Sequence, residues 1–214
     1  MSKFWTEFTE ACQKNRRQQT EIKIVAVTKN RTSPEVNNLL QQTNLTVIGE
    51  NRVQEAAQKF PALRPCERHL IGHLQSNKAK LALELFDVLE SVDSIRLAQK
   101  ISTAAQITQK TVPILLQVNF AAEPQKFGFR EADLEAAFKI IQNLPNLKVQ
   151  GLMVIGVQND PAKTQAVFKQ GKLWQQKFNL PEFSAGMSND FALALACGAT
   201  IVRVGRALFE NSGQ

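Results

Sequence analysis

Thr28-Lys29-Asn30 closes a short apolar run, and a lysine at such a place can be a nucleophile. Lys29 shares the parity of Val25 and Val27, so on a strand its side chain leaves from the same face as theirs. If that face lines a barrel, the amine sits at the mouth among apolar side chains. Desolvation there favours the neutral amine, which attacks carbonyls. Parity alone leaves open a strand-terminal lysine that simply reaches solvent.

Two later segments read as an anion site. Phe183-Ser184-Ala185-Gly186-Met187-Ser188-Asn189-Asp190-Phe191 is a strand, a glycine turn, a hydroxyl and a helix start; Val202-Arg203-Val204-Gly205-Arg206-Ala207 repeats the idea. Unpaired N–H groups at such turns attract anions, and glycine permits close backbone approach. Each turn alone could be an ordinary glycine turn with a serine cap, but together they follow the last two strands, where barrels commonly bind phosphate. Arg203 shares parity with Ile201 and Gly205 inside a strand that otherwise reads as buried, so it needs a partner. A ligand atom or an acid from a neighbouring strand would serve, the salt bridge being the commoner solution.

His69 and His73 have the spacing of zinc ligands on a helix, but on a strand four residues span roughly 13 Å. The glutamate of the HExxH pattern is also missing, so no metal site is expected. Ile48-Gly49-Glu50-Asn51-Arg52-Val53-Gln54-Glu55 follows the second strand and could line a mouth or begin an exposed helix.

These residues need a frame, and the chain offers eight short apolar runs: Ile22–Thr28, Leu45–Gly49, Arg68–Gly72, Val88–Ser91, Val112–Val118, Val149–Ile155, Glu182–Ala185 and Thr200–Val204. They lack strict alternation, as strands buried on both faces do. Amphipathic helices lie between them. Ser33-Pro34-Glu35 and Ser94 mark helix starts; Leu134, Phe138 and Ile141 share one helical face, as do Val167, Gly171, Trp174 and Phe178. A further helix over about residues 3–18 precedes the first strand. The pattern predicts an α/β fold, a single (β/α)8 TIM barrel spanning 1–214 with an extra N-terminal helix. The alternative is an open doubly wound sheet, but no GxGxxG follows any strand.

Composition narrows the functions. The chain has 214 residues, is 43% hydrophobic and 21% charged, and so can bury a real core. Its longest apolar runs are too short to cross a bilayer, and Met1–Glu7 lacks the apolar stretch of a secretory leader. Cys12, Cys66 and Cys197 are an odd set without CxxC, which predicts reduced thiols and a cytoplasmic protein. The net charge of +7 is scattered rather than blocked, which fits anionic small ligands better than nucleic acid. There is no tyrosine, so no phenol in this chain can act as acid or base.

Taken together these segments closely resemble the pyridoxal phosphate homeostasis protein family, single-domain relatives of the alanine racemase barrel. The matching stretches run from Ile24-Val25-Ala26-Val27-Thr28-Lys29 to Val202-Arg203-Val204-Gly205-Arg206-Ala207-Leu208-Phe209. Between them, in the expected order, come Gly49–Glu55, His69–Lys78, Gln125–Phe129, Gly151-Leu152-Met153 and Gly186–Phe191. Asn30 and Phe127 stand where the family more often shows smaller or hydroxylic residues.

The resemblance implies a fold-type III architecture with pyridoxal 5'-phosphate held as a Schiff base on Lys29. It implies that Ser188 and the backbone N–H groups near Gly205 and Arg206 hold the phosphate. Arg203 would face the pyridine nitrogen, with Asn51 and Met153 nearby. An arginine there opposes protonation of the ring nitrogen, making the cofactor a weaker electron sink than one paired with a carboxylate. Related racemases add a tyrosine and a second domain; this chain has no tyrosine and no length to spare for the domain, so efficient racemisation is not expected. The resemblance thus implies a cofactor-binding protein of amino- and keto-acid balance, with no robust catalysis, that hands its cofactor transiently to PLP-accepting enzymes. A monomer is expected, without membrane or nucleic-acid partners. The alternative is a Schiff-base-forming barrel enzyme, racemase- or aldolase-like.

Overall fold

The computed structural model describes residues 3–209. Eight parallel strands close into a barrel: β1 (Lys23–Val27), β2 (Val47–Glu50), β3 (Glu67–Leu70), β4 (Val88–Val92), β5 (Val112–Val118), β6 (Leu147–Val154), β7 (Glu182–Ser184) and β8 (Ile201–Val204). Each pairs with the next, and β8 returns to β1 with Val25 opposite Arg203 and Ala26 opposite Val204. All eight expected runs are strands in the expected order, with ends that move by a residue or two.

The helices are α1 (Lys3–Lys14), α2 (Ser33–Thr43), α3 (Val53–Lys59), α4 (Ala79–Leu85) and α5 (Ile95–Thr108). After β5 come α6 (Glu131–Ile141), α7 (Pro161–Lys177), α8 (Phe191–Ala196) and α9 (Arg206–Phe209). One helix start and one helix end differ from the sequence expectation. The cap of α2 is Thr32, not Ser33: its hydroxyl accepts from Glu35 N at 3.4 Å while the Glu35 carboxylate accepts from Thr32 N at 2.8 Å. That reciprocal box satisfies two end amides, and Ser33 becomes the first helical residue. The N-terminal helix stops at Lys14 rather than near residue 18, because the chain turns at Arg16, whose φ is 53°. Its Phe4 and Phe8 pack on Phe191 of α8, so α1 extends the helical ring. Ser94 caps α5 as expected, accepting from Leu97 N at 3.3 Å.

The core has two parts. Apolar faces of the helices meet the outer face of the sheet in a continuous layer that includes Leu39, Ile48, Phe60, Ile101, Phe168 and Phe183. Inside the barrel, a smaller plug takes Val25, Val47, Val88, Leu115, Met153 and Ile201 from six different strands. The two strands that give it nothing are β3 and β7. They supply polar side chains instead.

Candidate functional site at the barrel mouth

Lys29 lies in a turn directly after β1, and two tethers hold that turn. On its near side Thr28 is buried; its N–H donates to Gly49 O at 3.0 Å and its hydroxyl to Glu50 Oε1 at 2.5 Å. Lys59 Nζ donates to Thr28 O at 2.7 Å, to Glu50 Oε1, and to Glu55 Oε1 at 3.1 Å. On the far side Asn30, at φ 59°, donates its N–H to Glu55 Oε1 at 2.7 Å. Burial pushes the Glu50 carboxyl up, against the hydrogen bonds from Lys59 and Thr28. The cluster after β2 is therefore neither purely mouth nor purely exposed helix: Glu50 is buried, and α3 brings Lys59 back to it.

Lys29 itself is exposed. The expectation of an amine desolvated by the barrel wall is thus corrected: the turn lifts it above the plug, to the rim. The tethers fix where its backbone sits, and its side chain lies exposed.

The expected anion turns lie beside it. Because β8 pairs with β1, the Gly205 turn abuts the end of β1. For a Cβ added to Gly205 the three nearest atoms all belong to Val27, at 3.5–3.9 Å, which is ordinary contact, so no clash bars a side chain there and the protein does not place one. Gly186 is different. Its φ is 90°, and an added Cβ would come within 2.6 Å of Ala194 Cβ and 2.9 Å of Phe191 Cα, so the fold itself requires glycine. Gly186 O accepts from Arg203 N at 2.9 Å, joining the two turns. Half-buried Ser188 follows in the turn before α8, and Arg206, exposed, opens α9, whose first amides have no acceptor within the helix. Ser188, Gly205–Arg206, Lys29 and half-buried Asn51 thus belong to the successive loops after β7, β8, β1 and β2. Met153 lies deeper, fully buried in the plug.

Beneath this arc sits Arg203, 4% exposed. Its Nη1 donates to Ser184 Oγ at 2.6 Å and its Nη2 to Val154 O at 2.9 Å. Its link to an acid is indirect, since Ser184 Oγ donates in turn to Glu90 Oε2 at 2.5 Å. Glu90 Oε1 meets His69 Nδ1 at 2.5 Å; His69 Nε2 meets Glu67 Oε1 at 2.7 Å; and Glu67 Oε1 accepts from Lys23 Nζ at 3.0 Å. Strand parity could have found this set, because Glu67, His69 and Ile71 alternate inward, as do Val88 and Glu90. The spacing of His69 and His73 draws attention to a metal instead, and nothing in the sequence alone bonds His69 to Glu67, Glu90 or Ser184. His73 has a separate partner, Asp93 Oδ2 at 2.8 Å, and stacks on Phe127 with centroids 3.7 Å apart.

His69 carries a stability consequence. Burial pulls its basicity down, but Glu67 and Glu90 outweigh that and raise its pKa from 6.5 to about 9. A group more basic when folded contributes stability that is whole below pH 6.5 and lost as pH rises toward 9; the full shift corresponds to at most about 3 kcal/mol. Denaturant melts across that window are expected to show falling stability in the native protein and a flatter profile in His69→Gln. Equal slopes would contradict the assignment.

A closed parallel barrel with a tethered lysine after β1 and paired glycine turns after β7 and β8 defines the barrel class of the alanine racemase N-terminal domain. The family model of that description matches residues 9–212. Within it, the chain belongs to the pyridoxal phosphate homeostasis protein family. The family member from Pasteurella multocida is 35% identical over 213 residues, covering 93% of this chain and 90% of that protein. One from Helicobacter pylori strain 26695 is 40% identical over 196 residues, covering 89% and 88%. PipY of Synechococcus elongatus, solved with PLP bound, is 35% identical with a TM-score of 0.83, covering 94% of this chain and 99% of that one. Alanine racemase of Clostridium difficile shares the fold at 13% identity and a TM-score of 0.75; the matched region is 55% of its length.

Proposed function

We propose that this protein binds pyridoxal 5'-phosphate through Lys29 and serves the cofactor's homeostasis and amino- and keto-acid balance rather than a robust reaction of its own. The observation that carries the reading is the contiguous arc at the mouth: a doubly tethered lysine next to a glycine turn where no clash bars a side chain and none is placed. PLP bound to PipY, a relative of nearly the same length, supports it.

In this reading Lys29 would hold the cofactor covalently through its aldehyde. Ser188 and the Gly205 and Arg206 amides would hold the phosphate, Arg203 would serve the pyridine nitrogen, and Asn51 and Met153 would lie near the ring. The cofactor, when bound, supplies an electron sink for amines. Arg203 weakens that sink, because a guanidinium beside the ring nitrogen disfavours its protonation. No tyrosine stands ready to move a second proton. The protein acts as a cytoplasmic monomer that releases the cofactor to apo-enzymes; its three cysteines, all free, fit a reducing compartment.

Borohydride reduction of the PLP-loaded protein, followed by peptide mapping, tests the assignment. The expected result is a pyridoxyl group on the Lys29 peptide alone. A group found instead on another lysine would overturn it.

A further inference from the structure

Among the described residues Arg203 has no carboxylate directly against it, yet it is almost wholly buried; its charge is met through a hydroxyl. We propose that Glu90 is a positioning residue for the cofactor-facing guanidinium: acting through Ser184, it fixes the orientation of Arg203 and offsets its charge. This rests on the proposed role of Arg203 against the pyridine nitrogen.

The geometry is continuous. Glu90 on β4 is fully buried and uses both oxygens, one toward Ser184 on β7 and one toward His69 on β3. Ser184, also fully buried, accepts from Arg203 and donates to Glu90, so its single proton is committed to the acid. Arg203 cannot rotate without breaking either that bond or the one to Val154 O. The orientation of the guanidinium is thereby set by three strands that carry none of the mouth lysine's tethers: β4, β6 and β7.

The charges alternate along the same path. Lys23, Glu67, His69, Glu90 and Arg203 run from the start of β1 to the end of β8, and only the Lys23–Glu67 end is half-exposed. Glu67 and Glu90 keep His69 protonated at neutral pH; His69, with Arg203 and the Ser184 bond, keeps the buried Glu90 ionised despite its desolvation. Asp190, before α8, is the other acid whose charge acts on Arg203. Glu90 therefore does what a carboxylate facing the ring could not. It neutralises the guanidinium from behind and leaves the face toward the mouth a pure donor.

Removing the Glu90 charge takes away the acid that Arg203 and His69 share, leaving His69 with Glu67 and Arg203 with the charge of Asp190 alone. Added positive potential disfavours protonated forms above it. In full-length protein loaded with PLP, Glu90→Gln is expected to lower the pH midpoint of the lysine-bound cofactor's visible band by on the order of one unit. Ser184→Ala keeps both charges but cuts the link; it should raise the Kd for PLP about tenfold and move the midpoint less. The inference is overturned if both variants match the native midpoint and Kd, or if they only melt earlier with the midpoint unmoved, since that is a packing role. Should Glu90→Gln fail to fold, a native Kd in Ser184→Ala overturns it alone. A native protein with no reducible visible band is a different result: it removes the Lys29 reading and this inference with it.

Discussion

Lys29→Ala is expected to reduce borohydride-trapped pyridoxyl to background while leaving the apo fold unchanged. The side chain is exposed and the tethers of its turn run through Thr28 and Asn30, not through Lys29. Its removal should therefore change stability by no more than about 0.5 kcal/mol, as for an ordinary surface site. The effect should appear on addition of cofactor. Ligand at about 100 times its Kd stabilises the native state by about 2.7 kcal/mol, or roughly 5–10 °C in a chain of this size. Native protein should show that rise with PLP, and Lys29→Ala should lose most of it, keeping what the phosphate turns contribute. A variant that retains both the reducible adduct and the full thermal shift would place the aldehyde on another amine. Inorganic phosphate added to Lys29→Ala is a useful companion, because Ser188 and the Gly205 turn are untouched.

Much of this fold was legible because parallel strands buried on both faces leave an unmistakable trace. Val112–Val118 was delimited to the residue, and every other strand to within a residue or two. The order of the glycine turns gave the mouth. Parity put Lys29 on the same face as Val25 and Val27, and the buried strand around Arg203 made its need for a partner visible. What parity did not give is height. Lys29 continues the Val25–Val27 register, but Thr28 ends the strand, so the amine rises above the plug instead of sitting within it. The buried polar path was hidden for another reason. Its directly bonded partners lie up to 94 residues apart, as Glu90 and Ser184 do, and are joined only when β4 and β7 face each other across a closed barrel. Glu50 and Lys59 were hidden likewise, because the polar cluster after β2 reads equally as a mouth lining or an exposed helix start until α3 folds Lys59 onto the end of β2. Caps were the easiest local detail to misassign, since Thr32 and Ser33 both offer a hydroxyl before Pro34 and only the backbone angle at Thr32 decides between them.

The tether beneath the Lys29 turn leads to the largest expected loss of stability. Lys59 is 6% exposed and Glu50 fully buried, so Lys59→Met leaves a carboxylate that must stay charged in an apolar layer or take up a proton. Breaking such a pair from one side costs about 3–5 kcal/mol, roughly 6–20 °C here. The pH dependence identifies the cause. Glu50 is already raised by burial; without the lysine it rises further, and a group less acidic when folded adds stability that is present below its unfolded pKa of 4.5 and lost above it. The stability of Lys59→Met should therefore approach that of the native protein as pH falls toward 4.5. Replacing both partners, Glu50→Leu with Lys59→Met, removes the buried charge and should recover most of the loss, since apolar pairs of similar volume are often neutral. It should not recover PLP affinity. Thr28 would lose its short bonds to Glu50 and from Lys59, keeping only Gly49 O at 3.4 Å for its hydroxyl and Arg31 N at 3.1 Å for its carbonyl, and Glu55 would hold Asn30 without the lysine that steadies it. Thermal melts and PLP titrations of the single and double variants then separate two roles of one ion pair. Stability restored with affinity still weak means that the pair positions the Lys29 turn; both restored together would mean that it only fills the core.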